Sequence, residues 1–220
     1  MQVNKIIQLD SVNLGQERIL QRREHVERTG IFKFPTDSPV NVTKPGLERD
    51  VIVSKKHHGG PDQAIYVYGA ADYVWWSKEL GKEISPGTFG ENLTISELES
   101  AQFNVGDMLH IGDVTLQVTA PRIPCGTFAA RMEDPQWVKK FRHAERPGMY
   151  CRVIREGFVK TGDPVTIEKY SGETISVLQM FRDYYDKNKS EETIRHHLNA
   201  PIVIRARRDM EEDLQKLLTQ

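Results

Sequence analysis

The sequence predicts a mainly β protein, a barrel or sandwich of short strands with brief helices, followed by a small C-terminal three-helix domain. Three observations carry this expectation. Before Tyr170, β-branched residues recur in short runs cut by Gly, Pro and Asp. Two of those runs flank Gly112-Asp113, a two-residue hairpin signal. After Tyr170 the apolar spacing changes to every third or fourth residue, which is helical.

Taken in order, the expected strands are Lys5 to Leu9, Leu47 to Val53, Ala64 to Tyr68, Asn92 to Ile95, Met108 to Ile111, Val114 to Thr119, Met149 to Ile154 and Val165 to Glu168. Many short strands with turn signals point to a barrel or a sandwich, because closure removes exposed edges. Helices interrupt them twice. Gly69 to Leu80 spaces Tyr73, Trp76 and Leu80 helically, and Asp134-Pro135 opens a helix through Phe141 with an acidic cap and proline in the first turn. Ser171-Gly172 marks the boundary between residues 1–170 and 171–220. Beyond it, Ile175, Leu178, Phe181 and Tyr185 outline one amphipathic helix, Ser190 caps a second, and Ile204 to Leu218 forms a third. Some fifty residues of helix make a poor core by themselves, so this tail is expected to pack on the barrel or on a second subunit, making a homodimer possible.

A formal net charge of -1 implies no general attraction to nucleic acid or membrane. Two cysteines are too few for a disulfide scaffold, and the N-terminal residues lack a signal-peptide pattern, so the cytoplasm is the expected compartment.

The stretch Thr119-Ala120-Pro121-Arg122-Ile123-Pro124-Cys125-Gly126-Thr127 holds the most specific candidate chemistry. Its prolines stop regular structure and stiffen the loop, and Gly126 allows something to approach closely. Arg122 puts fixed positive charge near the Cys125 thiol, favouring the thiolate that attacks electrophiles and ligates metals. Cys151 has no loop context and reads as structural.

Two glycine-bracketed loops add candidate binding groups. Lys55-Lys56-His57-His58-Gly59-Gly60-Pro61-Asp62 combines basic side chains, an acid and glycines whose backbone N–H groups can turn toward an anion. Gly87-Thr88-Phe89-Gly90-Glu91-Asn92 ends on a side chain with donors and acceptors for a heteroaromatic edge. Arg22, Arg23 and Lys33 are further candidate anion contacts. A thiol in such a setting also suits a persulfide carrier for metal–sulfur cluster assembly, a cysteine–histidine hydrolase, or a binding protein without turnover.

Taken together, His58-Gly59-Gly60-Pro61-Asp62-Gln63-Ala64, Gly87-Thr88-Phe89-Gly90-Glu91-Asn92, Cys125, Pro147-Gly148-Met149-Tyr150 and Gly162-Asp163-Pro164-Val165 resemble, in that order, a MOSC domain. This is the domain named for the C-terminal part of molybdenum cofactor sulfurases. Gly30-Ile31-Phe32-Lys33-Phe34-Pro35 and the helical tail narrow the resemblance to the YiiM-like subgroup. The resemblance implies a closed MOSC-type β-barrel and a molybdenum cofactor (molybdopterin) ligated through Cys125. It also implies reduction of N-hydroxylated bases such as 6-N-hydroxylaminopurine, a detoxifying activity. The expected cofactor contacts are Arg22, Arg23, Lys33, His57, His58, Gly59, Gly60, Asp62, Asn92, Arg122 and Cys125, with Cys125 and His58 catalytic and His57 or His58 relaying protons. A separate flavoreductase would supply electrons, since no flavin, nicotinamide or iron–sulfur motif is present. One position departs from the pattern: Gly46-Leu47-Glu48-Arg49-Asp50 carries Arg49 where relatives tend to have glycine.

Overall fold

A computed structural model describes residues 7–22, 25–53 and 59–219. Eight strands form the main sheet: β1 (Leu9–Arg22), β2 (His25–Thr36), β5 (Ile65–Gly69), β6 (Leu93–Ile95), β7 (Met108–Ile111), β8 (Val114–Pro121), β9 (Met149–Arg155) and β11 (Val165–Glu168). Their order is β11-β7-β8-β9-β5-β6-β1-β2. Three shorter strands, β3 (Val40–Thr43), β4 (Gly46–Leu47) and β10 (Gly157–Val159), make a second sheet in the order β10-β3-β4.

The expectation of a closed barrel is not met, because the strand order has two ends, β11 and β2. Among the described residues, a short seam links the beginning of β1 to the turn before β11. There the Leu9 N–H donates to the Asp163 carbonyl at 2.9 Å, Gly162 to Leu9 at 2.8 Å and Val165 to Ile7 at 2.9 Å. The rest of β1 is occupied by β6 and β2.

Most expected strands form with small shifts at their ends, because their alternation reflects a buried face; of the Lys5 to Leu9 expectation, Lys5 and Ile6 lie outside the described residues and only Leu9 belongs to β1. Gly112-Asp113 makes the expected two-residue turn, with Ile111 opposite Val114 and Gly112 at φ 55°. The Leu47 to Val53 expectation fails: only Gly46–Leu47 is strand, and the chain then turns with Arg49 at φ 67°. Arginine thus holds a left-handed conformation that glycine adopts without strain, at a cost of about 1–2 kcal/mol. The turn carries Asp50 inward, where three groups hold its carboxylate.

The long β1–β2 hairpin was not expected as strand. Its outer half, from Gln16 onward, is mostly exposed and so has no apolar face to read. It is held instead by its own ladder and by Arg18, whose guanidinium lies 4.6 Å from the Phe34 ring centre and 5.3 Å from that of Phe32.

Between β5 and β6, which pair in parallel, helix α1 (Ala70–Leu80) makes the crossover. It brings Tyr73 and Trp76 into an aromatic core with Tyr68, Phe89, Phe128, Trp137 and Phe141. Trp76 Nε1 donates to Tyr68 Oη at 2.8 Å, so the buried indole is satisfied. Phe128 comes from α2 (Gly126–Arg131), and Trp137 and Phe141 come from α3 (Trp137–Ala144). This core backs the loop that carries Cys125.

Three helices follow the last strand: α4 (Val177–Tyr184), α5 (Glu191–Asn199) and α6 (Ile204–Leu218). Ser176 and Ser190 cap the first two through their side-chain oxygens. The tail residues Ile175, Met180, Ala200, Ile202 and Val203 cluster with Val105 and Ala120 from the sheet region. Helix α6 has no capping side chain of its own. The Asp62 carboxylate supplies one, accepting from the Ile204 N–H at 2.8 Å while pairing with Arg152 at 3.1 Å.

Inside the tail, fully buried His197 has Nε2 2.8 Å from Asp183 Oδ2, and its Nδ1 has no partner among the described residues. Burial lowers the His197 pKa; the Asp183 bond and charge oppose this, while His196 and Lys189 reinforce it. The neutral ring is therefore favoured in the fold. The resulting stability is present above the unfolded value of about 6.5 and is lost as pH falls through the folded value. Thermal melts taken across mildly acidic pH are expected to fall more steeply for the wild type than for His197→Gln. Identical slopes would show that His197 titrates like an exposed histidine.

Candidate active site

The Pro121–Pro124 turn delivers two side chains with different fates. Arg122 points into the protein and is 5 % exposed. Its Nη1 donates to the Phe89 carbonyl, and its guanidinium lies 4.3 Å from the Phe128 ring centre and 4.8 Å from that of Tyr66. Burial by itself lowers the Arg122 pKa, but attraction to Tyr150, Tyr66 and Cys125 outweighs it and holds the cation firmly. Cys125 sits immediately before α2 in extended conformation and lines a cavity of about 360 Å³.

Gly126 shows what its lack of a side chain allows. An added Cβ would strike the Arg22 guanidinium, so Arg22 rests directly over the residue following Cys125. Arg22 Nη1 also lies 3.5 Å from Glu27 Oε2, and Glu27 Oε1 is buried without a hydrogen-bond partner among the described residues. The cavity wall thus includes four cationic side chains, Arg22, Arg28, Lys33 and Arg122, against two carboxylates, Glu27 and Asp50. Such an excess favours an anionic ligand.

Opposite charges meet deep in the wall. Lys33 Nζ donates to both Asp50 oxygens at 2.6 Å, and the two side chains are 8% and 3% exposed. Asp50 also accepts from the Gly15 N–H at 2.6 Å and from Asn92 Nδ2 at 2.9 Å. Asn92 Oδ1 in turn accepts from the Tyr66 N–H at 3.1 Å. Behind Asn92, Glu91 Oε1 takes up the Gly87 N–H at 2.5 Å and the Tyr73 hydroxyl at 2.7 Å, which fixes the 87–90 loop. Burial raises the Glu91 pKa, against the pull of those bonds.

A family model described as the MOSC domain matches residues 54–166, which is 113 of the 220 residues. The chain belongs to the MOSC domain family. Among curated relatives, YflK of Bacillus subtilis is 34% identical over 167 residues, covering 76% of each chain. A protein named Reductase from Gibberella moniliformis is 30% identical over 166 residues, which span 74% of this chain and 29% of that longer protein. The crystal structure of YiiM from Geobacillus stearothermophilus superposes with a TM-score of 0.78 at 25% identity, covering 94% of this chain and 99% of that one. This MOSC protein is YiiM-like in sequence and in fold.

Of the residues singled out in the sequence, Arg22, Lys33, Gly59, Asn92, Arg122 and Cys125 line this one cavity. Arg23, His57 and His58 lie outside the described residues. Gly60 precedes the short 3-10 turn of Pro61–Gln63 and is not part of the lining, and Asp62 is turned toward Arg152 and α6. In the MOSC protein Asp62 therefore joins the sheet to the tail. Cys151 is fully buried in the apolar core, which pushes its thiol pKa up, as a structural cysteine requires. The lining also includes Asp50, Tyr66 and Tyr150, which sequence reasoning did not select. Tyr150 belongs to the Pro147–Tyr150 motif and was legible there only as a family mark. Tyr66 reads simply as a strand residue.

Proposed function

We propose that this chain is a molybdenum cofactor-dependent reductase of N-hydroxylated bases, with 6-N-hydroxylaminopurine as the representative substrate. One observation carries the reading: a cysteine thiol stands on the wall of a cation-rich cavity with a buried guanidinium nearby. The MOSC family membership and the relative named Reductase support it.

The residues present fit the group. Cys125 offers a soft thiolate, matched to a metal that already carries sulfur ligands. Arg22 and Arg28 suit the terminal phosphate of the pterin arm, which arginine can grip through paired hydrogen bonds. Asn92 already donates to Asp50 and accepts from Tyr66, so it shapes the wall. The bound cofactor supplies the redox chemistry; the chain binds, orients and moves protons. Electrons come from a separate flavoreductase, and the products are the amino base and water.

The test is a pair of measurements on protein purified from cells that make the cofactor. Stoichiometric molybdenum and conversion of 6-N-hydroxylaminopurine to adenine with a reducing system are expected. Background molybdenum with no adenine formed would refute the proposal.

A further inference from the structure

We infer that Lys33 is the acid that protonates the departing oxygen when the N–O bond of the substrate breaks, a role that rests on the reductase reading above. Lys33 lines the same cavity as Cys125 and is 9% exposed. Its ammonium uses two hydrogens on the Asp50 oxygens, and Nζ makes no other hydrogen bond among the described residues. The third hydrogen is therefore available to a ligand. Asp50 takes four hydrogen bonds from Lys33, Gly15 and Asn92. Both Asp50 oxygens are thus taken up by donors that hold the carboxylate, and with it the Lys33 ammonium, in one place.

The other donors in the cavity are poor acids. Arg22, Arg28 and Arg122 do not release protons near neutral pH. The Tyr66 hydroxyl is spent on the Pro147 carbonyl at 2.8 Å, and burial raises both the Tyr66 and the Tyr150 pKa. For Lys33 the direction is opposite. Burial lowers its pKa, the Asp50 charge and bond and the Glu91 charge oppose that, and Arg122 lowers it further; the net result is a better acid than an ordinary lysine.

The step balances as follows. Two electrons from the external flavin-dependent donor enter as the N–O bond breaks. The hydroxyl oxygen takes one proton from Lys33 and leaves as water. The nitrogen takes the second proton from solvent, giving the amine. Neutral Lys33 then regains a proton from solvent.

The discriminating variant is Lys33→Arg, which keeps the cation beside Asp50 but does not give up a proton. Molybdenum content is expected to stay at the wild-type level while kcat falls about 100-fold or more, the usual scale of a lost general acid. Independently of turnover, NMR of the protein labelled with 13C-lysine should show one resonance, absent from Lys33→Arg, titrating below the ordinary lysine value of about 10.4. Three results would each overturn the role: wild-type kcat in Lys33→Arg, loss of turnover in step with loss of molybdenum, or a Lys33 resonance titrating at or above the ordinary value. If the wild-type protein itself forms no adenine, the reductase reading fails and this role falls with it. Wild-type turnover beside an equally active Lys33→Arg removes this role alone.

Discussion

Replacing Cys125 with alanine is expected to abolish reduction of 6-N-hydroxylaminopurine while leaving the fold intact. The side chain is only partly buried and sits on the cavity wall, so its removal opens no core void. Loss of a metal's supporting contacts typically costs 10–100-fold in affinity or activity, so loss of its protein ligand should cost about 100-fold at least. The readouts are kcat, molybdenum per chain and X-ray absorption of the metal. In the wild type the absorption should show one more sulfur neighbour than in the variant. Equal sulfur counts with equal rates would remove Cys125 from the metal. A melting temperature close to the wild type would confirm that chemistry, and not folding, was lost.

The largest expected effect on stability comes from Asp50→Ala. Breaking a buried ion pair by removing one partner costs about 3–5 kcal/mol, because the other charge remains without compensation. Lys33 and Asp50 are almost fully buried, so solvent screening does little to reduce that figure here. The Gly15 N–H and Asn92 Nδ2 also lose their acceptor. Against a typical total stability of about 5–15 kcal/mol, this is a large share. Denaturant titration should show it as a lower midpoint. Without Asp50, Lys33 is driven further toward its neutral form. The deficit should therefore be largest near neutral pH and narrow as pH rises toward the ordinary lysine range, where the unfolded chain also sheds the proton. Lys33→Met combined with Asp50→Ala should recover part of the loss, since neither charge is then left stranded. A loss below about 1 kcal/mol in the single variant would mean that the pair is solvated.

How much was legible in the sequence depended on whether a residue's role is local. The Cys125 loop was legible because prolines dictate backbone shape without reference to the rest of the fold. Cys151 was legible as structural for a related reason: it lies in an apolar strand with no loop around it. Lys33 was visible as a cation, but its partner Asp50 was not, because Asp50 was assigned to a strand that the Arg49 turn cuts short. The β1–β2 hairpin escaped because alternation records a buried face, and its outer half has none. Asp62 was read with its glycine neighbours as part of an anion site. Its actual partners, Arg152 and the Ile204 N–H, are distant in sequence and only folding brings them near. The strand pattern left barrel and sandwich open, and the closed barrel came from the family resemblance; neither says which edges meet in this chain.

The borrowed cap on α6 limits how this protein can be recombined. A chimera that exchanges residues beyond 171 with those of a relative would leave the incoming helix without a cap unless the host offers an aspartate at the matching place in its glycine loop. The carboxylate lies in the glycine loop and the amide it serves begins α6, so the two must be transplanted together.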